Sequence, residues 1–222
     1  MKLKKKVLVV LGGTSKEREI SLESGNSCAK ALKKAGYRVE KFDPKYLSLF
    51  KIKKSNTDII FNALHGKDGE DGKIQSYFEY FRIPYTHSGV LASKIAMNKY
   101  FSKQLFEKNK ISTPKYFFLN SKEYFNLNLI KKIKKHKLSF PIVIKPNDEG
   151  SSIGVKICKN ISILKKEFKE ISKNHNDLIF ENYIPGQEIQ VAVRGGKSLG
   201  AIELKPKRSF YDYKAKYKKS AK

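Results

Sequence analysis

An open parallel α/β sheet with helices on both faces, followed by a mixed α+β unit, is the fold class this sequence predicts. Three observations predict it. Apolar, strand-like runs alternate with helical periods through the first third of the chain. Two glycine-rich loops, at 12–15 and 65–72, each follow such a run, where open α/β sheets keep their functional loops. Finally, Ile189, Val191 and Val193 alternate before Gly195-Gly196 and a second apolar run, the pattern of an antiparallel hairpin.

Residues 7–11 read as a buried strand, and 17–35 as a helix stopped by Gly36 at its C′ position. Strands follow at 37–43 and 58–64. Ile74, Tyr77, Phe78 and Phe81 then recur at i, i+3, i+4 and i+7, one face of a helix. Residues 83–86 predict a short closing strand, with Ser88-Gly89 as a linker. The next unit opens with a helix over 91–108 and continues with strands at 116–119, 141–145 and 155–158. A helix over 162–173 buries Leu164, Phe168 and Ile171, and a strand at 178–183 closes the unit. These divisions give domains at 1–88, 89–183 and 184–222. A two-stranded ribbon is barely stable alone, and the sequence ends soon after the hairpin, so the last unit is expected to be incomplete.

The 222 residues are 40% hydrophobic, enough for one large domain or two modest ones. No apolar run approaches the ~20 residues that cross a bilayer. The basic start precedes only a short apolar run ended by Gly12-Gly13, a strand rather than a signal peptide. Membrane insertion is therefore not expected. Cys28 and Cys158 are far apart among aliphatic neighbours, which speaks against a disulfide framework and for a reducing cytoplasm. The net charge of +26 raises nucleic acid as a partner. Arginine, the residue of bidentate base contacts, occurs only at Arg18, Arg38, Arg82, Arg194 and Arg208. Scattered lysines fit a solvated basic surface better, and no specific nucleic acid is expected.

The most telling segment runs from Pro141 to Val155. An apolar strand ends in Lys145, a Gly-Ser loop follows, and a second strand begins after Gly154. A fixed cation and a loop of backbone N–H groups suit a nucleotide's phosphates. An ammonium between Ile144 and Pro146 would be costly without a partner, and a bound anion is the expected one. Glu17, in Gly12-Gly13-Thr14-Ser15-Lys16-Glu17-Arg18-Glu19, reads either as ordinary first-turn chemistry or as a carboxylate for a substrate ammonium. His65 heads a loop whose glycines allow close backbone approach to a ligand, or merely a solvated surface loop. Lys99 is anonymous among other helix lysines. Glu181 and Glu188 bracket a proline-glycine turn that could hold a purine and its ribose, or could be a plain hinge. Residues 209–217, aromatic and charged, read as a loop able to act as a lid.

In this order the segments resemble the D-alanine–D-alanine ligase family of ATP-grasp enzymes. The matching stretches are Leu11-Gly12-Gly13-Thr14-Ser15-Lys16-Glu17-Arg18-Glu19-Ile20-Ser21 and Ala63-Leu64-His65-Gly66 with Gly69-Glu70-Asp71-Gly72. Tyr85-Thr86-His87-Ser88-Gly89-Val90-Leu91-Ala92-Ser93, Lys145-Pro146 with Glu149-Gly150-Ser151-Ser152, and Phe210-Tyr211-Asp212-Tyr213 with Lys216-Tyr217 continue the match. The resemblance implies a pre-ATP-grasp domain followed by an ATP-grasp domain. It implies that ATP phosphorylates one D-alanine, whose acylphosphate the amine of a second attacks, in peptidoglycan precursor synthesis.

By the same resemblance Glu17 holds the first ammonium with His65 nearby, and Ser151 and Tyr217 join Glu17 in a network closing the lid. Lys99 and Lys145 bind the ATP phosphates, Glu149 and Ser151 belong to the ATP site, and Lys216 reaches the transferred phosphate. Glu181, Tyr183 and Ile184 hold adenine, and Glu188 the ribose. A homodimer and magnesium or manganese are implied for a full-length enzyme. The family's metal-binding aspartate and Glu-x-Asn segments have no counterpart in this sequence, so no metal ligand is assigned and little activity is expected of this chain alone. Another ATP-grasp carboxylate–amine ligase, a binding-only relative without turnover, and a lysine-rich nucleic-acid binder are the alternatives.

Overall fold

Strand β1 (Lys6–Val10) lies at the centre of a three-stranded parallel sheet, between β2 (Arg38–Phe42) and β3 (Ile59–Asn62). The computed structural model describes residues 5–124 and 128–205. Helices cover both faces of this sheet, so β1 reads as a continuous aliphatic run rather than an alternating one. Alternate side chains still divide between the faces. Val7, Val9 and Leu11 pack with Ala63 and Ala29 under helix α1 (Arg18–Lys34). Leu8, Val10, Phe42 and Ile60 face the other way, against Ile52 of α2 (Phe50–Lys54) and Ile74 and Phe78 of α3 (Lys73–Tyr80). Small residues let α1 approach closely. A Cβ on Gly25 would lie 2.6 Å from that of Leu11.

Two expected elements take another form, and α2 lies where the sequence reading placed no element. The closing strand expected at 83–86 is a single parallel bridge, Ile60 to Tyr85, in which Ile60 N–H donates to Pro84 and Thr86 N–H to Ile60. Pro84 has no N–H with which to extend a ladder. The helix expected over 91–108 is two, α4 (Val90–Met97) and α5 (Lys99–Lys108). Asn98 breaks them with an extended ψ of 103° while its side chain accepts from Phe101 N–H at 2.9 Å. An N-cap asparagine takes that conformation to satisfy an orphan amide.

The second sheet is antiparallel, in the order β4 (Tyr116–Asn120), β7 (Asp177–Asn182), β5 (Ile142–Pro146), β6 (Lys156–Cys158). Its core face carries Phe117, Leu119, Ile142, Ile144, Leu178 and Phe180, covered by α6 (Leu129–Lys135) and α7 (Ile161–Ile171). Phe117 and Phe180 are register partners and stack with centroids 4.6 Å apart. Leu164 and Ile171 of α7 are buried as expected, and Phe168 packs partly buried against the same core.

Beyond it, β8 (Glu188–Arg194) and β9 (Lys197–Leu204) form the expected hairpin. Its turn, Gly195-Gly196, has φ of 57° and 73°, the two left-handed residues a type I′ turn demands. Ile189, Val191, Val193, Leu199 and Ile202 on this hairpin are exposed. The described residues fall into two compact units, one up to residue 109 together with 148–150, the other 110–147 and from 151 onward. No helix among the described residues is long and apolar enough to cross a membrane.

Candidate active site

The turn after β1 is held by a carboxylate that the sequence reading did not single out. Asp43, just past β2, takes two hydrogen bonds from Arg18, 2.7 Å from Nη2 and 3.2 Å from Nη1. It also accepts the amides of Gly13 and Lys45, each at 3.0 Å. Arg18 Nη1 donates to Gly13 O at 2.7 Å, closing the clamp. Partial burial works to raise the Asp43 pKa, but Arg18 and the two amides outweigh it and hold the carboxyl below its ordinary value. The hydrogen bond to Asp43 in turn raises Arg18. Gly12 and Gly13 run at φ +84° and +71°, and a Cβ on Gly12 would collide with Asp43 and Arg18.

That clamp sets down Glu17 at the N-cap of α1, 4% exposed, where the helix dipole favours a carboxylate. Its N–H donates to Ser15 Oγ at 3.1 Å, and Ser15 Oγ donates to His65 O at 2.7 Å. The β1–α1 and β3–α3 loops are thereby tied together. Gly66, at φ +70°, closes over the carboxylate so tightly that a Cβ there would strike Glu17 Oε2. Both expected substrate residues of this unit, Glu17 and His65, therefore come to one place.

His65 is oriented by two residues the sequence reading did not assign. Its Nε2 lies 3.0 Å from Ser24 Oγ, one turn and a half into α1. Its Nδ1 lies 3.6 Å from Glu70 Oε1, an ion contact rather than a hydrogen bond. Glu70 Oε2 accepts Gly66 N–H at 2.9 Å. Glu70 raises the His65 pKa against the opposing effect of burial, with a smaller push from Glu17. Burial works to raise the Glu70 pKa, but His65 and the Gly66 amide hold it low. Asn62 and Gln75 shape the same loop by donating to Gly69 O at 3.0 and 2.9 Å. A buried carboxylate beside an imidazole biased toward its charged form can receive an ammonium while offering a cation to the carboxylate of the same molecule.

Lys99 opens α5 and donates from Nζ to Glu149 O at 2.5 Å, while the Glu149 carboxylate pairs with Lys16 at 2.7 Å. These residues all belong to the first unit. In the second unit the partner expected for Lys145 is corrected. Its ammonium meets the Glu181 carboxylate on the neighbouring strand, not only a prospective ligand anion. Lys145 pairs in register with Ile179 and Glu181 with Val143, so the two are diagonal neighbours on one sheet face, within reach of long side chains. Glu181 is 7% exposed, and a buried ion pair offsets part of the cost of desolvating each partner.

The loop after β5 carries Ser151 and Ser152 at φ 48° and 61°, and Gly154 at 71°. Left-handed conformation costs a non-glycine residue about 1–2 kcal/mol, and such strain concentrates in ligand loops. Tyr183 N–H donates to Pro141 O at 3.0 Å, while Ile184 and Glu188 are exposed. Lys216 and Tyr217 lie outside the described residues. Among the described residues no group of three or more His, Cys, Asp or Glu side chains is placed to hold a metal ion.

An open parallel sheet with a buried carboxylate at its loops, followed by an antiparallel sheet with a lysine at a strand end, is the arrangement that the resemblance to ATP-grasp ligases implies. Comparison with known proteins specifies it further. The family described as "D-ala D-ala ligase C-terminus" matches residues 105–222, and "D-ala D-ala ligase N-terminus" matches 41–88. A curated D-alanine–D-alanine ligase of Pelagibacter ubique is 54% identical over 98% of this chain and 70% of its own length. The crystal structure of the Bacillus anthracis D-alanine–D-alanine ligase superposes with a TM-score of 0.83 at 34% identity, covering 98% of this chain and 70% of that one. The same enzyme complexed with ATP gives a TM-score of 0.80 at 31% identity, covering 92% of this chain and 67% of that one. The chain belongs to the D-alanine–D-alanine ligase family. It spans about two thirds of the length of these relatives.

Proposed function

We propose that the chain binds ATP and D-alanine for the family's ligation reaction. A carboxylate oxygen of the first D-alanine attacks the γ-phosphorus, ADP leaves, and an acylphosphate forms. The amine of the second D-alanine then attacks the carbonyl carbon and gives up a proton. The C–O bond to phosphate breaks, leaving D-alanyl-D-alanine and inorganic phosphate. The observation that carries this reading is the buried Glu17 carboxylate under Gly66, in a loop that Ser15 ties to the backbone of His65.

Glu17 receives the ammonium of the first D-alanine, and His65 stands near its carboxylate. Lys99 and Lys145 neutralise phosphate charge with the loop of Glu149 and Ser151. Glu181, with the backbone at Tyr183 and Ile184, takes the adenine, and Glu188 takes the ribose hydroxyls. Lys145 then serves two partners in turn, Glu181 in the structure described and phosphate when nucleotide is bound. Ser151, Tyr217 and Lys216 act in closure over the substrates. Phosphoryl transfer needs cations spread over the triphosphate, and an acylphosphate lasts only where water is kept away. A homodimer and a cytoplasmic location belong to the same proposal.

Calorimetric titration of the chain with D-alanine, L-alanine and ATP tests it. Saturable binding of D-alanine and ATP with at least about tenfold discrimination against L-alanine, about 1.4 kcal/mol, is expected. Equal binding of the two enantiomers, or none of ATP, refutes it. Sedimentation of the chain checks the dimer.

A further inference from the structure

The β1 and β3 loops have two sides, and Glu17 uses one of them. It heads α1, which covers the sheet face of Val7, Val9 and Leu11. On the opposite side, above the face packed by α2 and α3, the same loops border a cavity of about 150 Å³. Pro44, Leu49, Leu64 and Ile74 supply its apolar wall, and Thr14, Ser15 and His65 a polar one. At its rim stand Lys67, Lys73 and Asp68. Lys73 is already paired with Asp68 at 2.8 Å, which leaves the rim with one uncompensated cation, Lys67, making no ion pair among the described residues. Neither Glu17 nor Glu70 lines this space.

We propose that this cavity is a second ligand site, sharing His65 but not Glu17 with the proposed D-alanine site, and that it takes a small apolar monocarboxylate. Size, polarity and charge converge on that class. A cavity of about this volume with apolar walls accommodates a molecule the size of a benzene ring. A carboxylate at the rim meets Lys67 and the paired Lys73, whereas an amino acid brings its ammonium against the same lysines. Selection is therefore against amino acids and against neutral amides, the reverse of what Glu17 selects. The cavity's far wall includes Ser15 and His65, and Ser15 Oγ donates to His65 O at 2.7 Å. An occupant thus presses on the hydrogen bond that joins the two substrate loops.

The test is a titration of the full ¹⁵N-labelled chain with benzoate, followed by amide chemical shifts, with benzamide and D-alanine as comparison ligands. Saturable, millimolar shifts at Thr14, Lys67, Gly69 and Ile74 are expected, with benzamide binding at least about fivefold more weakly for want of the charge-assisted contact. Lys67→Ala should weaken benzoate by a similar factor while the melting curve stays unchanged. Leu49→Phe, which fills the cavity, should abolish the response in a chain whose remaining amide spectrum is preserved. Glu17→Gln should leave benzoate binding intact while removing that of D-alanine, which separates this site from the proposed substrate site. No saturable shift, equal response to benzamide, indifference to Lys67→Ala, or displacement of benzoate by D-alanine would each overturn the proposal.

Discussion

Glu17 and Glu181 are both buried carboxylates, 4% and 7% exposed, yet the chain handles them differently. Glu181 sits in a sheet interior and is answered by Lys145 from the adjacent strand. Its position follows from the ladder that fixes both strands. Glu17 sits where two loops meet, placed by glycines, a serine hydroxyl and the Arg18–Asp43 clamp. The first arrangement makes a carboxylate part of the fold. The second holds one at a loop junction that a small molecule can use.

The largest effect should come from breaking the sheet pair. Lys145→Ala removes the cation facing Glu181 and is expected to cost about 3–5 kcal/mol, read as a lowered denaturant midpoint. A change under about 1 kcal/mol would mean that the pair contributes no more than a surface ion pair. Next comes Gly66→Ala, which forces a Cβ onto Glu17 Oε2 from a left-handed backbone. Strain of about 1–2 kcal/mol is expected, with a loss of D-alanine binding by calorimetry larger than the loss of stability.

A smaller effect is expected from Glu70→Gln. The His65 pKa, raised by Glu70, should fall toward the ordinary value of about 6.5 in an NMR titration. The sign of the pH dependence follows from the two shifts. His65, raised on folding, contributes stability that is complete below its unfolded pKa and fades as pH rises through the folded one. Glu70, lowered on folding, contributes stability above its unfolded pKa that is lost as pH falls through the folded one. The variant should flatten both limbs of the stability profile. Least of all, Val191→Lys on the exposed hairpin, where Val191 is 54% exposed, should shift the melting midpoint by no more than the equivalent of about 0.5 kcal/mol.

The parts of this comparison were legible in the sequence to different degrees. The β1 strand, α1 and the C′ glycine at Gly36 are local signals, as is the Gly195-Gly196 hairpin. Glu17 and His65 follow two such strands, so their loops could be marked as functional before the Ser15 hydrogen bonds that join them were known. The Lys145–Glu181 pair was not readable as a pair, because it depends on β7 inserting beside β5 across a separation of 36 residues. Asp43 was missed for the same reason, since its partners lie 25 and 30 residues away. Asn98 was a local signal underused. An asparagine three residues before the amide it caps ends one helix and begins another, and the lysines around it disguised the break.

Calorimetry of D-alanine binding to the chain and to Glu17→Gln tests the central claim most directly. The amide keeps the volume and the Ser15 contact of the backbone while removing the charge that receives an ammonium. The account predicts that the unaltered chain binds D-alanine saturably and that the variant, with an unchanged melting curve, loses at least about tenfold in affinity, or 1.4 kcal/mol. Undiminished binding by the variant would contradict it.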